Sequence, residues 1–118
     1  MKDQNSNNRR LHLGEFEEVV LLTILRLGEN AYGVPIRQTV EEVAGRFVSI
    51  GALYTTLERM EEKGFVNSRL GEATSERGGR AKKFFKVEGA GMDALNEAQR
   101  VRTRLTEGMP LLPKLQGA

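Results

Sequence analysis

The chain is expected to fold as a mainly α protein with a small β-hairpin, a winged helix-turn-helix followed by one further helix. Three observations predict this. Segments of helical apolar periodicity succeed one another with short punctuated joints. A polar, Gly-rich stretch, GEATSERGGR, separates two short runs of aromatic and branched residues, the pattern of a hairpin with an extended tip. That hairpin directly follows the third helix, giving the order α, α, short β, α, β, wing, β, α.

The first helix is predicted over residues 13–28. Val19, Val20, Leu21, Leu22, Ile24, Leu25 and Leu27 leave only Thr23 and Arg26 polar across its middle. Four consecutive apolar residues sweep roughly 300° of a helix, so it is apolar almost all round. One side faces the core and the other needs a cover. A second copy of the chain is the expected cover, through Val20, Leu21 and Ile24; packing by the last helix of the same chain is the competing arrangement.

Gly28, Asn30 and Gly33 punctuate a turn, and a second helix is expected over 34–45, with Pro35 tolerated in its first turn. Ile36, Val40 and Val43 form its core stripe. Phe47 and Val48 read as a short strand. Ser49 stands where a helix N-cap should be, although Ala52 rather than Glu follows three residues on, leaving the capping box incomplete. Ile50, Leu53, Leu57 and Met60 then recur at helical spacing, and Gly64 ends the third helix. Strands are expected over 65–70 and 81–87. The final helix runs over 89–107 until Gly108 and Pro110, with Met92, Leu95, Ala98, Val101 and Leu105 as its sparse apolar positions.

With 118 residues the chain forms one domain, burying roughly two-thirds of its unfolded surface. The expected organisation is a polar tail over 1–10, the winged helix-turn-helix over 11–88, a C-terminal dimerisation helix over 89–109 and a tail over 110–118. Cysteine is absent, which excludes disulfides, cysteine metal sites and thiol catalysis and fits a cytoplasmic location. The longest apolar run, Val19–Leu22, falls far short of the ~20 residues of a membrane span.

The net charge is only +2, but its distribution is uneven. Residues 77–86 carry Arg77, Arg80, Lys82, Lys83 and Lys86 with no acid among them, an electrostatic footprint for phosphate. Once Leu53, Leu57 and Met60 are buried, the third helix presents Ser49, Gly51, Ala52, Thr55, Thr56 and Arg59 outward, with Tyr54 at the edge of the stripe. Small and hydroxyl-bearing residues let a helix N-terminus approach bases and phosphates closely. Glu58, Glu61 and Glu62 confine deep contact to its N-terminal half. In the wing, Gly78 and Gly79 permit close backbone approach, while Arg77, Arg80, Lys82 and Lys83 supply the charge. Double-stranded DNA is the expected partner.

These residues also carry a resemblance. Tyr32-Gly33, Ser49-Ile50-Gly51-Ala52-Leu53-Tyr54, then Leu57, Arg59, Met60, Glu61 and Gly64, followed by Gly79-Arg80 and Phe84-Phe85, make the chain similar to the PadR family of winged-helix transcriptional regulators, in its short form. The correspondence covers roughly residues 11–91. It implies a homodimer on a palindromic operator, usually repressing, with the third helix in the major groove, the wing on phosphate or minor groove, and the first and last helices forming the dimer interface, the last through Met92, Leu95 and Leu105. Glu88 stands where the family commonly has a Thr N-cap. The family's larger C-terminal helical domain has no counterpart in these residues, and no sequence motif supports a small-molecule effector.

Catalysis is poorly supplied. His12 is the single histidine, and Glu17-Glu18, Glu41-Glu42 and Glu61-Glu62 each diverge around a helix. No enzyme activity, metal or cofactor is expected. The competing function is a winged-helix module that binds a protein partner, its basic hairpin merely solvated. RNA binding is weaker, because the paired aromatic surface of single-strand readers is missing.

Overall fold

The computed structural model describes residues 12–71 and 81–110. The hairpin tip and, apart from Pro110, the two expected tails lie outside the described residues. Four α-helices and a two-stranded antiparallel sheet make up the rest: α1 (Glu15–Leu27), α2 (Gly33–Ala44), α3 (Ile50–Glu62), β1 (Val66–Leu70), β2 (Lys83–Val87) and α4 (Gly89–Thr106). A 3₁₀ turn, Gly28–Asn30, joins α1 to α2.

One core holds these elements together. Val20, Leu21 and Ile24 of α1 meet Ile36 and Val40 of α2, Leu53, Leu57 and Met60 of α3, and Phe65, Val66 and Phe85 from the hairpin. Val20, Leu21 and Ile24 are thus consumed inside the protomer, which corrects their expected role as dimer contacts. The reason is angular: the three lie within about 100° of one another around α1, whereas Leu22 and Leu25 stand more than about 100° from Val20. Those two are the exposed leucines, 51% and 44% accessible.

Two other stripe assignments are corrected. Val43 is 67% exposed, and Ile50 is exposed as well. Both occupy helix ends that project past the core, at the last turn of α2 and the first of α3. Phe47 and Val48 form no strand. Instead Tyr32 makes an isolated antiparallel bridge to Phe84, and the Phe85 N–H donates to Ala31 O at 2.8 Å. The third edge of the sheet therefore comes from the segment before α2. The strands pair from Val66 with Val87 to Leu70 with Lys83, and Gly71 N–H extends the ladder to Lys82 O.

Gly64 turns the chain from α3 into β1 at φ +82°, a conformation that a side chain resists. Phe65 N–H then closes back on Met60 O at 2.9 Å. The last helix starts on the same spot, because Glu88 N–H donates to Phe65 O at 2.8 Å and Gly91 packs directly over that carbonyl. Glu88 offers no side-chain cap. Along α4 only the first half is covered: Gly91, Ala94 and Leu95 are buried, so Leu95 belongs to the core and not to an outer surface. Met92, Val101 and Leu105 are exposed, Leu105 by 71%. Arg102 pairs with Glu18 and ties the distal part of α4 to α1.

A buried ion pair links α1 to the end of α3. The Glu17 side chain is 8% accessible, accepts from Lys63 Nζ at 2.8 and 3.0 Å, and accepts from Gly14 N–H at 2.9 Å. Burial pushes this carboxyl up, but the hydrogen bonds from Lys63 and Gly14 and the charges of Lys63 and Arg59 outweigh it and hold the group below its ordinary 4.5. Among the described residues, no helix is long and apolar enough to cross a membrane.

Candidate nucleic-acid interface

Helix α3 begins as its sequence requires. Ser49 adopts extended backbone and its Oγ accepts the Ala52 N–H at 3.1 Å, satisfying one orphan donor of the first turn. Ser49, Gly51, Ala52, Thr55 and Arg59 are exposed along one arc. At Gly51 a side chain would meet nothing within 4 Å, so the helix surface is open there. Thr55 donates its hydroxyl to Gly51 O at 3.0 Å, leaving its methyl and its lone pairs facing out. Such an arc can accept from base amino groups, touch a thymine methyl and come close to a phosphate.

Thr56 does not belong to this arc. It is only 8% exposed, on the inner face with Leu53, Leu57 and Met60, which corrects its expected outward position. Position 56 lies three residues after Leu53 and four before Met60, so it must share their side of the helix. Tyr54 is half-buried and its hydroxyl does not extend outward. The ring sits 6.4 Å from Phe85, and the hydroxyl rests on Gly33, where an added Cβ would lie 2.4 Å from the oxygen. The motif residues Tyr32-Gly33 and Tyr54 are therefore one contact, in which glycine makes room for the phenol.

The predicted wing residues Arg77, Gly79 and Arg80 lie outside the described residues. Lys82 and Lys83 lie within them and point opposite ways, as neighbours on a strand must. Lys83 turns towards α3, its ammonium 4.0 Å from Glu61, while its side chain stays 41% exposed. Glu61 also accepts the Ser68 hydroxyl at 2.8 Å. Lys82 is exposed on the other face, with its Nζ 4.6 Å above the Tyr32 ring and 3.5 Å from the Tyr32 hydroxyl.

Sequence reasoning missed two residues of that face. Arg69 lies opposite Phe84 in the register, with its guanidinium 4.9 Å from the Phe84 ring centroid, and the Tyr32 ring packs against Phe84 at 5.2 Å, tilted by 60°. Alternation along the strands placed Arg69, Lys82, Phe84 and Lys86 together, and that signal was available. Tyr32 had no comparable signal, because a single bridging pair leaves no periodicity. Thr55 adjoins Tyr54 in sequence, the Tyr54 hydroxyl packs on buried Gly33, and Tyr32, next to Gly33, lies against Lys82, so a chain of contacts ties α3 to the root of the wing.

Residues 21–97 match the profile of the family described as "Transcriptional regulator PadR-like family". Among solved structures, a PadR-like transcription factor from Bacteroides fragilis is 26% identical over 89% of this chain and 93% of its own, with a TM-score of 0.65. A PadR-like transcriptional regulator from Bacillus cereus is 25% identical over 87% of this chain and 93% of its own, with a TM-score of 0.64. Bacillus subtilis PadR, solved in complex with operator DNA, shares the fold at 21% identity over 70% of this chain and 46% of its own, with a TM-score of 0.58. None of the curated proteins matches.

Proposed function

The chain belongs to the PadR-like family of transcriptional regulators, and from that premise we propose that it is a cytoplasmic repressor that binds a palindromic operator as a homodimer and acts by binding, not catalysis. The observation that carries this reading is the exposed arc of small and hydroxyl-bearing residues at the start of α3, tied to the wing root by the packing of Tyr54, Gly33 and Tyr32. In this reading Ser49, Gly51, Ala52, Thr55 and Arg59 face the major groove, while Lys82 and the tip residues Arg77, Gly79 and Arg80 hold the backbone beside it. The operator complex of Bacillus subtilis PadR lends support by its shared fold.

Residues 11–88 serve as the DNA-binding unit and 89–109 as the dimerisation helix. The apolar positions Ala94, Ala98, Val101 and Leu105 continue one face of α4 from its covered half into its bare half. Together with exposed Leu22 and Leu25 of α1 they form the surface a second copy would cover, whereas Met92 stands about 160° round α4 from Ala94 and falls outside it. Leu22 and Leu25 replace Val20, Leu21 and Ile24 in that role.

Selection of bound duplexes from a random pool tests the proposal, followed by titration of the winner at several salt concentrations. The expected product is a two-fold symmetric sequence, bound with a log–log salt slope of about −0.9 for each phosphate neutralised. Lowered expression from a reporter carrying that sequence over its promoter identifies repression. No enrichment and a flat salt response would favour the protein-binding module instead.

A further inference from the structure

We propose that Tyr32 and Lys82 together form a seat for one backbone phosphate of duplex DNA, a contact that lies outside both the recognition helix and the wing tip and rests on the DNA-binding reading above. The two side chains come from separate parts of the chain and are held as a unit. Tyr32 is fixed at its backbone by the bridge to Phe84 and by the neighbouring hydrogen bond from Phe85 N–H to Ala31 O. Its ring is held by a tilted contact with Phe84, centroids 5.2 Å apart.

Lys82 is then parked over that ring instead of sweeping through solvent, an arrangement that holds a cation by the negative face of the π-system. Among the described residues no carboxylate lies within 4.0 Å of it, unlike Lys63, Lys83, Arg46 and Arg102, which all have acidic partners. The Tyr32 oxygen faces the Lys82 ammonium at 3.5 Å and so stands as an acceptor towards it, which leaves the phenolic proton free to donate outward. An anionic oxygen placed against the pair receives an O–H and an N⁺–H together. The Tyr54–Gly33 contact ties this donor pair to α3 by one packed contact, and the phosphate it takes is one beyond the groove that the α3 arc would occupy.

The seat predicts a sequence-independent contribution with two separable parts. Tyr32→Phe keeps the ring, its contact with Phe84 and the parked lysine, and deletes only the hydroxyl. It should weaken binding by about tenfold to a hundredfold on selected and scrambled duplexes alike, as loss of a hydrogen bond to a charged group requires, with an unchanged salt slope. Lys82→Gln should weaken binding and reduce the slope magnitude by about 0.9.

The deciding experiment uses the duplex selected on the wild-type protein, with single phosphates replaced in turn by neutral methylphosphonate. One position in each half-site should make both Tyr32→Phe and Lys82→Gln silent. The seat is overturned if Tyr32→Phe binds like wild type, if the position that silences Lys82→Gln leaves the Tyr32→Phe loss intact, or if Tyr32→Phe fails to fold, since the hydroxyl would then be structural. A wild-type protein that enriches no duplex would sink the DNA reading itself, an outcome distinct from all three.

Discussion

Gly91 is the point at which the last helix presses on the wing sheet, and substituting it separates packing from helix propensity. A Cβ added there would lie 2.4 Å from Phe65 O and 2.9 Å from Val87 Cγ1. Ordinary contact begins near 3.4 Å, so the methyl group would stand about 1 Å inside a backbone carbonyl. That carbonyl cannot swing aside freely, because it already accepts the Glu88 N–H at 2.8 Å. Overpacking of this kind costs about 1–3 kcal/mol, and the rigid backbone partner argues for the upper half. Alanine returns up to about 1 kcal/mol through helix propensity. Gly91→Ala should therefore destabilise by about 1–2 kcal/mol. Gly89 supplies the control, since a Cβ there meets nothing within 4 Å on the same helix. Gly89→Ala should be neutral or stabilise by a few tenths of a kcal/mol. Urea unfolding at one fixed protein concentration measures both, the fixed concentration removing any contribution from association. Equal stabilities for the two variants, or a Gly91→Ala protein as stable as wild type, would refute the close approach of α4 to Phe65.

The buried Glu17–Lys63 pair should give stability a pH dependence of definite sign. Because the folded carboxyl titrates below its ordinary 4.5, its contribution is complete above that value and is lost as pH falls through the folded value. Glu17→Gln should cost about 1–2 kcal/mol near neutral pH and flatten the acid limb of a stability–pH profile measured by urea unfolding; an unchanged acid limb would count against it. On α1, Leu22→Glu with Leu25→Glu should leave a folded monomer, whereas Val20→Glu should not fold; sedimentation and circular dichroism distinguish them, and a folded, dimeric Leu22→Glu/Leu25→Glu protein would move the interface elsewhere. Within α3, Thr55→Ala should change which duplexes are selected, while the near-isosteric Thr56→Val should leave selection unchanged and shift stability by under about 1.5 kcal/mol. Altered preference in Thr56→Val would place that side chain at the bases after all.

Which features the amino-acid sequence disclosed follows from how local their causes are. Helices α1 to α4 and the hairpin were legible because periodicity, the Ser49 cap and the Gly64 turn are all set within a few residues. Periodicity identifies a face but not where the core ends, so Val43 and Ile50 were assigned to stripes that run past it. In α1, apolar on every side, the pattern could not say which leucines face inward. The charges could have done so, since Glu15, Glu18 and Arg26 share the outer arc with Leu22 and Leu25. Thr56 was placed outward for its hydroxyl when its spacing from Leu53 and Met60 already placed it inward. The Glu17–Lys63 pair joins residues 46 apart, and the Ala31–Tyr32 edge is too short to leave a pattern. Neither had a local signature.

Three contacts hold α3 from three directions: Glu17–Lys63 to α1, Tyr54–Gly33 to α2, and the Gly64–Phe65 turn, against which Gly91 brings α4. The exposed arc of α3 cannot therefore move independently of the α1–α4 surface. If two copies join through Leu22, Leu25, Val101 and Leu105, the distance between their recognition helices is set by that surface and not by any residue near DNA. Changes at Thr55 should then alter the bases preferred within a half-site, and changes at Tyr32 or Lys82 should alter affinity on every sequence. Conservative changes at Leu22 or Leu105 that keep the dimer should alter the tolerated spacing between half-sites, a third phenotype separable from the other two by selection on operators of varied spacer length.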